Sequence, residues 1–336
     1  MESFGRYLLL ERIASGGVGA IDKARLAGAG GFEKIVAIKR ILPEHAQSAE
    51  LVQSLIDEAR LAARLTHGNI VQVLDLERVG DDWGVVLEYV NGIDVFRLER
   101  VLEQHERRLG VDECVHVAKE MLVALDFVHR LQDDDGNALG LVHCDIAPAN
   151  VMVNVGGEVK LIDFGMTKSE SMVAVEGVTP GGKIRYRAPE QARHEDFDLR
   201  IDIYSTAVVL WELLAGERVF ESMTLEEIMS AVEHGNVPPI ESVRAGLPEG
   251  LVRVLHRALF PDPRYRYPHA AAFLRALEDL DVGRDPARSR HVLAEIVTAI
   301  RREGTPDAPR PPAPVTLAPD ESLEDALESA LDDPPE

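Results

Sequence analysis

A change of periodicity near residue 90 does most to limit what this chain can fold into. Before it, short runs rich in β-branched and aliphatic residues recur at 7–13, 19–26, 35–40, 71–78 and 83–89, broken by Gly and Asp, which reads as strands joined by turns. One stretch interrupts them: SAELVQSLIDEARLAARL, starting at Ser48, sets Leu51, Leu55, Ala59 and Ala62 on a single helical stripe. Beyond residue 90, helical spacing of apolar residues fills 95–131 and 202–300, with a strand-rich insert at 141–168 and no internal repeat. The expected fold class is α+β with two lobes: a small β-rich lobe holding one main helix, then a larger, mainly helical lobe.

With 336 residues, 46% of them hydrophobic, the chain is long enough for a full core. The formal charge of −22 argues against a general affinity for nucleic acid or for anionic membrane. Two cysteines, Cys114 and Cys144, are too few for a disulfide framework. No signal peptide and no run of ~20 apolar residues is present, so a cytoplasmic location is expected. The boundaries read as a short extension at 1–6, the small lobe at 7–91, the large lobe at 92–302 and a tail at 303–336. That tail holds ten acidic residues against one basic residue, Arg310, and eight of the nineteen prolines. Its proline-rich first half cannot form a helix or a central strand. In its second half, Leu323, Leu327 and Leu331 lie four apart and Ser322 with Asp325 makes a capping box, giving a short helix at 320–333. A solvated, fraying tail is one reading; a docking helix for a partner or for the catalytic domain itself is the other.

Three motifs carry chemistry. Gly16-Gly17-Val18-Gly19 sits between two strand candidates, where glycines let backbone amides approach phosphates; taken alone, it reads first as a plain hairpin turn. There is no GxxxxGK[ST] and no helix directly after the loop, which excludes a Walker-type site and counts against a dinucleotide fingerprint. Val36-Ala37-Ile38-Lys39 is a buried-strand pattern ending in lysine, nineteen residues before Glu58 on the striped helix. A Lys–Glu pair spanning strand and helix would hold the lysine toward nucleotide phosphates. Finally, His143-Cys144-Asp145-Ile146-Ala147-Pro148-Ala149-Asn150 is followed, eighteen residues after Asp145, by Asp163-Phe164-Gly165. Asp and Asn at that spacing suit a base and a metal ligand, and a second carboxylate on a flexible turn offers another hard oxygen for Mg²⁺. Each piece alone has a bland reading as a metal-free turn or a solvated helix residue.

Taken together over about 7–280, the ordered motifs resemble the protein kinase family, specifically bacterial serine/threonine kinases of the eukaryotic type. The set includes the glycine loop, VAIK, Glu58, the hinge-like LEYVNG from Leu87, HCDIAPAN, DFG, Ala188-Pro189-Glu190, Asp202 and Arg266. The resemblance implies ATP between the lobes, lined by Ile13, Ala14, Ser15, Gly16, Gly17, Val18, Gly19, Ile21 and Ala37 above and by Leu87, Glu88 and Val90 at the hinge. It implies that Lys39, held by Glu58, binds the α/β-phosphates and that Asp145 orients the acceptor hydroxyl and takes its proton. Asn150 and Asp163 would hold Mg²⁺, with Mn²⁺ as the alternative ion. Glu190 would pair with Arg266, and Asp202 would brace the catalytic loop.

Several positions depart from the family pattern. Ala14 replaces the first loop glycine. Cys144 replaces the arginine of HRD, which normally reads a phosphorylated activation loop. Ala147 stands where eukaryotic Ser/Thr kinases carry a lysine for the γ-phosphate, and Lys183 stands where those enzymes have a threonine. Lys183 is therefore expected to reach Asp145 and the transferring phosphoryl in place of the missing lysine; a peptide-contacting or solvated lysine is the alternative. Tyrosine kinases share the alanine but carry an arginine in this loop, which 143–150 lacks, and Pro148 matches the bacterial Ser/Thr pattern. The expected acceptors are Ser/Thr hydroxyls of protein substrates. Thr167, Ser169, Ser171 and Thr179 are candidate autophosphorylation sites. A pseudokinase scaffold that binds nucleotide and partners without turnover is the runner-up reading. A small-molecule kinase of the aminoglycoside type would lack the APE sequence and the Arg266 partner.

Overall fold

The computed structural model describes residues 2–16, 19–42, 45, 48–163 and 183–302. Gly17, Val18, Phe164, Gly165, the four hydroxyl residues between 167 and 179, and the tail with its expected 320–333 helix lie outside the described residues.

The small lobe is an antiparallel sheet of β1 (Ser3–Phe4), β2 (Tyr7–Ser15), β3 (Gly19–Ala27), β4 (Glu33–Ile41), β5 (Val73–Val79) and β6 (Asp82–Glu88) in the order β1-β2-β3-β4-β6-β5. Alternation along β4 decides its two faces. Val36 and Ile38 are buried with Phe4, Tyr7, Ala24 and Val86. Ala37 and Lys39 face the other way, and Lys39 lies directly opposite Ile21 on β3 and Val85 on β6. The striped segment forms α1 (Ala49–Ala62), whose N-terminus is capped by the Ser48 side chain accepting from the Leu51 N–H at 3.3 Å. Its buried Leu55 and Ala59 pack with Val85 of the sheet.

The large lobe begins with a short sheet of β7 (Gly92–Asp94), β8 (Val151–Asn154) and β9 (Val159–Leu161). Around it stand α2 (Val95–Gln104), α3 (Val111–His129), the short α4 (Pro189–Ala192), α5 (Arg200–Ala215), α6 (Leu225–His234), α7 (Glu249–Ala258), α8 (Ala270–Glu278) and α9 (Pro286–Arg302). The sequence of α5, RIDIYSTAVVLWELLA, has no polar face, and every residue at 201–215 is buried. A helix apolar on all sides belongs at the centre of a core, and its few polar groups must then find partners. Ser205 Oγ donates to the carbonyl of Tyr186 at 2.7 Å, and Glu212 accepts from the Tyr186 hydroxyl and the Val219 N–H, both at 2.8 Å. Through these bonds α5 fixes the segment around 183–190 against the core.

Candidate active site

Asp202 is 1% exposed near the start of α5, and its carboxylate is fully engaged. Oδ2 accepts the His143 N–H at 2.8 Å and lies 2.9 Å from His129 Nε2, while Oδ1 accepts the Cys144 N–H at 2.9 Å. Cys144 is held at φ +63°, a left-handed conformation costly for a residue with a Cβ. The two amide bonds to Asp202 keep it there by gripping the main chain, so the grip is independent of the side chain at 144. Burial pushes the His143 imidazole down; kept neutral, its Nδ1 faces the Asp145 N–H at 3.3 Å.

Asp145 follows in the same loop, its side chain about one-third exposed. Its Oδ2 accepts from Asn150 Nδ2 at 2.8 Å and from Lys183 Nζ at 2.6 Å, and the Asn150 amide also donates to the Asp145 carbonyl at 2.7 Å. With Nδ2 engaged, the side-chain oxygen of Asn150 is the atom left for a cation. The Ile162 N–H donates to the Asn150 main-chain carbonyl at 3.0 Å, which ties the strand end that carries Asp163 to the Asn150 backbone. Asp163 itself sits at φ +57°.

From the other lobe, Lys39 Nζ meets Glu58 Oε1 at 2.8 Å and Asp163 Oδ1 at 3.2 Å. The Lys39 ammonium holds the Asp163 carboxyl below the usual carboxylate range against the opposing effect of burial. Burial acts to lower the Lys39 ammonium, but Asp163 and Glu58 outweigh it and raise it. The result is a permanent cation flanked by two carboxylates at the back of the cleft. Asn150 and Asp163 offer hard oxygen donors, which suit Mg²⁺ completed by phosphate and water oxygens rather than a soft metal.

The cleft has a volume of about 360 Å³. Of the nucleotide-binding residues expected from the sequence, Ile13, Ile21, Ala37, Lys39, Leu87, Glu88 and Val90 line it. Ala14, Ser15, Gly16 and Gly19 are not part of this lining: Ala14 and Ser15 end β2, Gly19 opens β3, and the Gly16 N–H donates to the Gly19 carbonyl at 2.8 Å. Sequence reasoning missed Val71, Met152 and Ile162 on the wall, and Arg97 and Arg301 at the mouth. Alternation in β8, with Val151 and Val153 buried, carries the signal for Met152. Nothing near Arg301 in the sequence signals its place.

Below the cleft, Glu190 and Arg266 form a bidentate pair at 2.6 and 2.7 Å, with side chains only 3% and 0% exposed. Arg266 also donates to the carbonyls of Phe260, Pro261 and Arg200.

A strand lysine paired to a helix glutamate, an Asp–Asn loop braced from a central helix and a cleft between two lobes define a phosphotransferase-type site. The chain belongs to the protein kinase family: the model for the protein kinase domain matches residues 7–274. Among curated relatives, it is 36% identical over 279 residues to the tyrosine-protein kinase MasK of Myxococcus xanthus, covering 83% of this chain and 43% of that one. It is 31% identical over 293 residues to the serine/threonine-protein kinase PknA of Mycobacterium tuberculosis, covering 84% of this chain and 63% of that one. Among solved structures, the PknI kinase domain of Mycobacterium tuberculosis aligns with a TM-score of 0.59 at 26% identity, covering 83% of this chain and 97% of that domain. The chain spans about two-fifths of the length of the first curated relatives it matches. Among the described residues, no helix is long and apolar enough to cross a membrane.

Proposed function

We propose that this protein transfers the γ-phosphate of ATP to Ser/Thr hydroxyls of protein substrates, as a kinase in which HCD replaces HRD. The observation that carries the reading is that Lys39, paired with Glu58 in the small lobe, meets Asp163 of the large lobe, one residue from Ile162, whose N–H is bonded to Asn150, which with Lys183 engages Asp145. The backbone of 88–90 faces the adenine, and Lys39, fixed by Glu58, holds the α/β-phosphates. Asn150 and Asp163 would hold the magnesium ion, which would supply charge neutralisation to the phosphates when bound. Asp145 accepts a hydrogen bond from the acceptor hydroxyl and takes its proton as the hydroxyl oxygen bonds to the γ-phosphorus and the γ-phosphorus–bridging-oxygen bond breaks, ADP leaving with that oxygen.

Lys183 acts on that same oxygen. The chain lacks the family's lysine two residues after the base, where Ala147 stands, and Lys183 puts an ammonium 2.6 Å from Asp145 from the opposite side of the loop. There it neutralises negative charge on the transferring phosphoryl. A scaffold without turnover is not favoured, because the base, both metal ligands and the phosphate lysine are all present. One named relative favours a second acceptor: MasK is called a tyrosine-protein kinase.

The test is γ-phosphate transfer from Mg²⁺-ATP by the purified protein, alone and with a basic acceptor protein, beside Asp145→Asn. Phosphate on Ser or Thr that vanishes in the variant is the expected result. Phosphate on Tyr would overturn the acceptor assignment alone, and ATP binding with no transfer would overturn the catalytic reading.

A further inference from the structure

Helix α9 begins beyond residue 274, where the family match ends, yet it is built into the domain. Its Ser289, Leu293, Val297 and Ile300 are buried. Arg290 donates to the Gly156 carbonyl at 3.0 Å and pairs with Glu158 across the turn between β8 and β9. Gly157, at φ +75° in that turn, comes so close that a Cβ there would stand 1.9 Å from the Arg290 carbonyl oxygen; only glycine permits the contact. This docking carries the last turn of α9 up to the start of β7, where Arg301 Nη1 donates to the Gly92 carbonyl at 2.9 Å and the side chain joins the cleft lining.

Arg97 on α2 lines the same mouth, and its Nε is buried without a hydrogen-bond partner among the described residues. Asp94, just before α2, caps that helix by accepting the Arg97 N–H at 2.7 Å. No carboxylate lies within ion-pair distance of either guanidinium among the described residues. Two guanidiniums with donors to spare therefore line the cleft beside Gly92, where Arg301 is held, next to the hinge residues 88–90. If adenine sits on the backbone of 88–90 and the phosphates at Lys39, the group at this point of the wall is the sugar.

We propose that Arg301, delivered by α9 from outside the matched domain, is a positioning residue that together with Arg97 donates hydrogen bonds to the ribose hydroxyls of the nucleotide. The proposal rests on the reading of the cleft as an ATP site. A guanidinium presents several fixed donors, and the vicinal hydroxyls of ribose are acceptors within that fork. It makes the C-terminal helix a working part of the nucleotide site.

The experiment compares binding of ATP and 2′,3′-dideoxy-ATP to the full chain by calorimetry, in wild type, Arg301→Ala, Arg97→Ala and the control Arg302→Ala, an exposed neighbour outside the cleft lining. Thermal unfolding verifies that each variant folds. A lost charge-assisted hydrogen bond at a half-exposed site corresponds to about five- to tenfold weaker ATP binding. That loss is expected in Arg301→Ala and Arg97→Ala with dideoxy-ATP binding unchanged, and Arg302→Ala should bind both as wild type does. Equal weakening of both nucleotides, or of neither, would overturn the proposal. So would intact nucleotide affinity with reduced phosphorylation of acidic peptides, which would assign the arginines to the acceptor. Wild-type protein that binds neither nucleotide would overturn the ATP reading itself, an outcome distinct from all of these.

Discussion

Lys39 and Glu58 meet at 2.8 Å in the small lobe, and Glu190 and Arg266 meet at 2.6 Å in the large one. By distance the two ion pairs are equivalent. Their surroundings are not. Arg266 is wholly enclosed, bidentate, and bonded to three further carbonyls, so its charge is satisfied by one permanent set of partners. Lys39 opens onto the cleft, with 26% of its side chain exposed, and shares itself between two carboxylates on different lobes. The buried pair holds the loop before α4 onto the core. The cleft pair leaves its cation available to a third anion, which is what a phosphate-binding group needs. Ion pairs of one geometry serve folding or chemistry according to whether the surrounding donors and acceptors are complete.

The sharpest way to break the comparison is at the buried pair. Arg266→Ala leaves the Glu190 carboxylate enclosed and uncompensated, which costs about 3–5 kcal/mol. The fall in Tm, measured by scanning calorimetry, is expected to be on the order of 10 °C. A fall of only a degree or two would place this pair with exposed ones. Next in size is Lys183→Ala, expected to lower kcat by roughly an order of magnitude with ATP affinity nearly unchanged, because the lost interaction belongs to the transferring phosphoryl. Steady-state kinetics decides it, and an unchanged kcat would return Lys183 to the role of a peptide-contacting lysine.

A smaller effect sharpens the contrast between satisfied and strained burial. Burial pushes the Glu212 carboxyl up to about 7, although the Tyr186 hydroxyl, the Val219 N–H, Arg185 and Arg218 oppose the shift. Glu99, the neighbouring buried carboxyl, is raised in the same way, by burial and then by Glu212. A carboxyl whose folded pKa lies above its unfolded value of 4.5 contributes stability that is complete below about 4.5 and is lost as pH rises to about 7. Glu212→Gln should flatten the fall in stability across that window, read by urea unfolding at a series of pH values. A slope identical to wild type would show that Glu212 is ionised throughout.

How much of this was legible in the sequence follows from the range of the interactions. The strands and α1 were legible because their signals are local: alternation in 35–40 and a stripe in 48–65. Structure moves these strand ends by one or two residues: β2 runs on to Ser15, while β5 starts at Val73 rather than 71. The Lys39–Glu58 pair was legible from the buried-strand and helix-stripe patterns, whereas the bond from Lys39 to Asp163 was not, since no local rule relates residues 124 positions apart. Lys183 was singled out by two departures that made sense together, Ala147 and Lys183 itself. Arg301 could not be read at all. Its position at the cleft depends on the tight contact at Gly157 and on a carbonyl 209 residues away at Gly92. Met152 and Ile162 fell between: alternation marks their faces, but not which face becomes the floor of a cleft.

The central claim is that the pair at Lys39 exists for chemistry and the pair at Arg266 for folding. Its most direct test is Lys39→Met, assayed for γ-phosphate transfer and for Tm on the same preparation. The prediction is a loss of transfer on the order of a hundredfold or more, as for other preorganised charge groups, with Tm within about 3 °C of wild type. Transfer retained near the wild-type rate, or lost only alongside a collapse in Tm like that expected for Arg266→Ala, would contradict it.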